Sequence, residues 1–256
     1  MFPVLQVGDR RLIPEAIMQL LGEYQMLPQL VKELVIDDAI AQIKCNQEEE
    51  KIAIAQISQQ YQLDSEAKRQ MWLQQNNLTS EQLDAIAIRQ LKLEKFKQTN
   101  WGEDLETYFR QRKPQLDRVI YSLLRTNDMA LAQELYFRIS EGEDSFARLA
   151  QEYSQGLEVE TDGLIGPVEL QSIHPVMVKV LSNIQPQQLV PPTQVGDWVV
   201  LIRLEKLLPA KLDNSMRQRL LNERFQVWLQ TQMQEQKWQV MTPEIEVLQP
   251  LSISYS

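Results

Sequence analysis

The stretch Ile139-Ser140-Glu141-Gly142-Glu143-Asp144-Ser145-Phe146-Ala147-Arg148-Leu149-Ala150-Gln151-Glu152-Tyr153-Ser154 joins the end of one helix to the whole of the next. Gly142 stops a helix that carries Ala130, Leu131, Leu135 and Ile139 on one face and takes Asn127 as its cap. Phe146, Leu149, Ala150 and Tyr153 then follow at the i, i+3, i+4, i+7 spacing of a second, short amphipathic helix. Strand-like segments flank the pair. Val119 to Leu124 is a β-branched and apolar run, and Trp198 to Leu204 is the strongest strand pattern in the chain. Between them, a loop with Gly156, Gly163 and Gly166 leads to a strand at Ile165–Glu169. Pro175 starts a helix through Leu181, and Pro186 to Pro192 reads as a turn. The order is β-α-α-β-α-β, an α/β core placed at residues 114–208.

Outward from this core the texture is helical. Residues 1–113 read as a helical array. Pro14 leads Ile17, Leu20, Leu21 and Tyr24, and Pro28 leads Val31, Leu34, Val35 and Ile40. Glu48 to Tyr61 and Ser65 to Asn76 follow, and Thr79 with Gln82 has capping-box spacing ahead of Leu83, Ile86, Ala87, Leu91 and Phe96. Gly102 interrupts, and Lys113-Pro114 closes the region. A long helix returns within residues 209–238, with Met216, Leu220, Phe225 and Leu229 on one face. The tail, residues 239–256, alternates weakly and reads either as an edge strand or as a segment without regular structure. The expected class is therefore α+β, with the α/β core inserted into a helical domain.

Composition excludes several kinds of chemistry. The 256 residues are 43% hydrophobic and 24% charged, as in an ordinary globular protein. One cysteine, Cys45, and one histidine, His174, provide neither a disulfide nor a Cys/His zinc site. Asp37-Asp38 and Glu48-Glu49-Glu50 read as helix-dipole complements on a solvated face, so no metal is expected. No Gly-rich phosphate loop occurs, and no cofactor is expected. A net charge of −9 argues against nucleic acid as a partner. No apolar stretch approaches the roughly 20 residues needed to span a bilayer. The start Met-Phe-Pro-Val-Leu-Gln-Val-Gly-Asp-Arg-Arg does not read as a signal peptide, and the expected location is cytoplasmic.

The quoted stretch resembles the "l-x-x-G-x-x-F-x-x-L-A-x-x-x-S" signature of parvulin-type peptidyl-prolyl isomerases. Gly163-Leu164-Ile165-Gly166 is similar to that family's "G-D-L-G" turn. Thr193-Gln194-Val195-Gly196-Asp197-Trp198-Val199-Val200 is similar to its "T-x-x-G-x-H-I-I" closing strand. The flanking helices resemble the SurA-type chaperone layout, in which a final helix packs back on the N-terminal ones. On a gapless reading the family's first-strand His falls at Ser122 and its closing-strand His at Trp198. The Cys or Asp after the signature serine falls at Gln155 or Gly156, and the Asp of "G-D-L-G" falls at Leu164.

The resemblance implies a folding factor that isomerises X-Pro bonds in extended or unfolded polypeptide, without cofactor. It implies substrate contacts at Ser122, Val176, Met177, Thr193 and Trp198. The alternative is a parvulin-fold chaperone or accessory protein of an export or maturation system, with weak or no turnover.

Overall fold

The chain opens on a hairpin. The computed structural model describes residues 2–240, and β1 (Leu5–Val7) pairs antiparallel with β2 (Arg10–Leu12). The sequence reading expects helices alone in this region. Six residues of strand, three on each side of Gly8-Asp9, are too few to register as alternation. Six helices follow: α1 (Pro14–Glu23), α2 (Leu27–Ile40), α3 (Gln47–Gln60), α4 (Glu66–Asn76), α5 (Ser80–Trp101) and α6 (Leu105–Leu116).

Their starts are chemically marked. Thr79 and Gln82 form the expected capping box, and Asn46 with Glu49 forms a second one at α3. Pro114 does not close the array as expected, because α6 continues two residues past it. Burial of Leu116, 1% exposed, holds that last turn in place, and Asp117 N–H donates to the Lys113 carbonyl.

Next come β3 (Arg118–Thr126), α7 (Met129–Ser140), α8 (Phe146–Tyr153), a 3₁₀ turn at Leu157–Thr161, β4 (Leu164–Glu169) and a 3₁₀ turn at Leu170–Ser172. Then follow α9 (Pro175–Leu181), β5 (Leu189–Val195), β6 (Trp198–Leu208) and α10 (Asn214–Glu235). Helix α7 is capped by Asp128, whose carboxylate accepts from the Ala130 and Leu131 N–H groups, and not by Asn127. The proposed edge strand of the tail lies outside the described residues.

The described residues divide into two compact units, 103–220 and 2–102 with 221–240. The sequence reading draws its boundaries at 113/114 and 208/209. In the helical unit, Leu83 and Ala87 of α5 pack with Ala53, Ile57 and Leu73. Phe225 and Leu229 of α10 pack with Ile36, and Phe96, Trp101, Phe225 and Trp228 form one aromatic cluster. Lys97, 5% exposed, bonds Glu94 and Asn222 and lies over the Phe225 ring.

In the other unit the strands form one antiparallel sheet in the order β4-β3-β6-β5. The expected turn is confined to Pro186 and Gln187, where the Gln188 N–H donates to the Gln185 carbonyl, and strand β5 takes up its remaining residues from Leu189. Its Pro191-Pro192 pair falls where the ladder to β6 shifts register, on an edge strand, where missing N–H donors cost nothing.

Side chains alternate across this sheet. Leu124 and Leu201 face α7 and α8 and pack with Leu135, Phe146, Leu149 and Ala150. Tyr121, Leu123, Val200 and Ile202 face the opposite way and pack with Leu170, Met177 and Leu181. Full burial of each such side chain is worth about 1.5–3 kcal/mol.

Candidate functional site

The second face of the sheet is only partly covered. Helix α9 packs over it through Met177 and Leu181, leaving a cavity of about 600 Å³ beside them. Its apolar wall is Leu123, Ile165, Val168, Met177, Val195 and Val200, and its polar margin is Tyr121, Arg125, Ser172, His174, Asp197 and Trp198.

The two sets come from elements whose sequences force them inward. The period-2 alternation of β3 brings Tyr121, Leu123 and Arg125 to one face. The hairpin turn at Gly196-Asp197 places Trp198 opposite Val195. Pro175 starts α9 so that Met177 points down onto the sheet, 7% exposed. The His174 imidazole Nδ1 accepts the Val176 N–H at 3.3 Å and caps that helix.

Of the five residues expected to touch substrate, Met177 and Trp198 line this cavity and three do not. Ser122 belongs to the other face of the sheet. Its hydroxyl donates to Glu205 Oε1 at 2.5 Å, an oxygen that also accepts from Arg203 Nε at 2.7 Å. The cavity-facing neighbour is Tyr121, because a shift of one residue along a strand reverses the face. The register between β3 and β6 also shifts at Ile120/Tyr121, leaving Glu205 as the extra residue beside Ser122. Val176 is 39% exposed on the outer side of α9. Thr193 pairs with Val200, but its hydroxyl turns back to the Pro191 carbonyl at 2.9 Å.

The positions read as the diverged polar centre have structural roles. The Gln155 N–H donates to the Arg125 carbonyl at 2.9 Å, and its side-chain oxygen accepts the Asn127 N–H at 3.2 Å. Gly156 has no room for a side chain, since a Cβ there would sit 2.1 Å from Arg125 Nε. Leu164 is half exposed on the edge strand β4.

The sequence pattern does not assign Arg125, Glu158, His174 or Asp197 to a binding site. Arg125 shares a strand face with Tyr121 and Leu123, and placing Ser122 in the site turns that face away. Glu158 carries no sequence signal either, being one acid in the short Gly-flanked 3₁₀ turn at Leu157–Thr161. Its side chain is fully buried and accepts from Arg125 Nε at 2.8 Å and Nη2 at 2.5 Å, and from Ser154 Oγ at 2.5 Å. Burial alone would raise the Glu158 pKa. Hydrogen bonds from Arg125 and Ser154 outweigh it and hold the carboxyl below its ordinary value. The Arg125 guanidinium is held protonated more firmly in return, and it lies over the Trp198 ring, 5.9 Å from the centroid. Burial, with the Glu158 charge, pushes the Tyr121 phenol up, so it stays neutral and able to donate.

Among the described residues no cluster of three or more His, Cys, Asp or Glu side chains is placed to hold a metal. No described helix is long and apolar enough to cross a membrane. The cavity can enclose a small apolar ring while presenting donors at its margin.

Residues 109–206 match the family model of the rotamase, or PPIC-type PPIase, domain, so the chain carries a parvulin-type domain. Among solved structures, the chain is similar to the peptidylprolyl isomerase PrsA of Bacillus anthracis, at 19% identity and a TM-score of 0.47, covering 83% of this chain and 100% of that one. The parvulin domain of PpiD from E. coli is 24% identical with a TM-score of 0.34, covering 39% of this chain and 97% of that one. A Campylobacter jejuni structure described as a SurA-like chaperone is 13% identical with a TM-score of 0.35, covering 93% and 100%. No curated protein matches the chain.

Proposed function

We propose that the parvulin-type domain of this chain accelerates cis/trans isomerisation of X-Pro bonds in extended polypeptide, and that the protein works as a folding factor. The observation that carries this reading is the cavity between Met177 and the sheet, walled by Leu123, Ile165 and Val200 and open to solvent on a polar margin. An X-Pro amide crosses a barrier of about 18–20 kcal/mol through a twisted state that has lost its resonance and much of its charge separation. An apolar site disfavours the planar, more polar ground state relative to that twisted one. A thousandfold acceleration requires only about 4 kcal/mol.

Cis/trans exchange of Ala-Pro peptides, followed by NMR with the full chain, tests the reading. Exchange well above the spontaneous rate supports it. Peptide binding with no acceleration supports the second reading, a polypeptide clamp without turnover. The observation favouring that alternative is Trp198 at the position where the family carries a histidine. Under either reading, the exposed apolar side chains of the helical unit, Phe2, Val7, Met18 and Tyr24 among them, suit contact with unfolded segments.

A further inference from the structure

The margin of the cavity contains a donor whose placement depends on three other residues. We propose that Arg125 is a catalytic residue that donates a hydrogen bond to the imide nitrogen of the bound prolyl residue as the amide twists, and that Glu158 is its positioning residue. This rests on reading the cavity as the prolyl site.

In the planar amide the nitrogen lone pair is delocalised and accepts almost no hydrogen bond. At the twisted state the pair is localised, so a donor aimed there stabilises the transition state and not the ground state. No bond forms or breaks and no proton is transferred.

Arg125 suits this role better than its neighbours on the margin. Asp197 offers only acceptors, and His174, whose Nδ1 accepts the Val176 N–H, has its Nε2–H alone to donate, with no carboxylate among the described residues fixing it in place as Glu158 fixes Arg125. Ser172 donates its hydroxyl to the Glu169 carbonyl at 2.7 Å. Tyr121 and Trp198 are neutral donors, whereas a charged donor makes bonds roughly twice as strong.

The guanidinium is also fixed in advance. Glu158 holds Nε and Nη2, the Cζ lies over the Trp198 ring, and the Nη1 donors have no hydrogen-bond partner among the described residues. The empty position at Gly156 is what admits the guanidinium. Because Glu158 balances its charge, Arg125 is not a reader of acidic side chains. The effect should be the same whichever residue precedes proline.

The test is NMR exchange on the full chain with Ala-Pro and Glu-Pro peptides. Wild type is compared with Arg125→Met, Arg125→Lys and Glu158→Gln, each variant having a cooperative thermal transition. Loss of one charged hydrogen bond predicts about a 30-fold lower exchange rate at saturating enzyme for Arg125→Met on both peptides, with Kd within about threefold. Arg125→Lys should recover part of the rate, and Glu158→Gln should fall in between.

Wild-type exchange rates in Arg125→Met, a loss confined to the Glu-Pro peptide, or a loss in Kd alone would each overturn the assignment while leaving the isomerase reading intact. A wild-type protein that binds without accelerating exchange removes the isomerase reading, and this assignment with it. If Arg125→Met does not fold, Arg125→Lys and Glu158→Gln decide: wild-type rates in both overturn the proposal, and reduced rates at unchanged Kd support it.

Discussion

Gly156 and Arg125 are packed so closely that a Cβ at position 156 would lie 2.1 Å from the Arg125 Nε and 2.4 Å from its Cζ. The far end of an arginine ordinarily yields to such an intrusion. This one is held by two bonds to a buried carboxylate. Gly156→Ala must therefore either break the ion pair or strain the loop, at a cost of about 1–3 kcal/mol. Urea unfolding should show a lower midpoint with an unchanged m-value. A midpoint equal to wild type would mean that Arg125 moves aside freely.

Glu158 gives the same region a pH signature. Its folded-state pKa lies below the ordinary value of 4.5. Its contribution is therefore fully present above the unfolded pKa and is lost as pH falls through the folded one. At neutral pH, Glu158→Gln should cost about 2 kcal/mol, less than a fully buried pair because the Arg125 side chain is 32% exposed. Asp144, Glu169 and Glu205 have lowered values as well, so both proteins lose stability in acid. The gap between wild type and variant should close below pH 4.5, and a gap constant down to pH 2.5 would exclude the assignment.

Met177 and Val176 are neighbours on α9 with opposite fates. The Pro175 start and the apolar run of α9 are plain in the sequence, and the helix occupies the residues expected, 175–181. Which of two adjacent apolar residues faces the sheet depends on helix phase, and seven residues, four of them β-branched or proline, set no clear stripe. Met177→Lys should abolish peptide binding and cost at least about 2 kcal/mol. Val176→Lys should leave both within error. Chemical-shift titration with an Ala-Pro peptide measures the first effect and thermal unfolding the second. Equal losses from both would place the site elsewhere.

Tyr121 and Ser122 show where sequence reading stops for a different reason. The first strand, the two helices after it and the closing strand are legible because Phe146, Leu149, Val200 and Ile202 obey simple periods. The face of each residue on β3 is not legible, since the register shifts at Ile120/Tyr121 depend on pairing with β4 and β6, far away in the chain. Strand β5 is hidden for a related reason, because Pro191-Pro192 suits an edge but reads as a turn. Ser122→Ala removes a hydrogen bond to a carboxylate and should cost about 1.5–3 kcal/mol with no change in peptide affinity. Tyr121→Leu keeps most of the cavity wall and deletes the hydroxyl, so it should alter affinity or exchange rate. An affinity change in the serine variant would restore Ser122 to the site.

The helical unit makes its own prediction through α10. Phe225 lies against Phe96 and Trp101, stacks on Trp228 at 5.6 Å and covers the Lys97 ammonium at 5.3 Å. Replacing it with Ala removes a buried ring and uncovers a cation whose other partners are Glu94 and Asn222. A cost of about 3–5 kcal/mol is expected, enough to consume much of the stability of a single domain. Trp101 and Trp228 flank the site, so their fluorescence should report the loss as an earlier urea transition. The sheet unit has its own core around Leu124, Phe146 and Leu201. Prolyl exchange in Phe225→Ala should therefore persist at denaturant concentrations where the tryptophan signal has already changed. Simultaneous loss of both signals would show that the two units unfold as one.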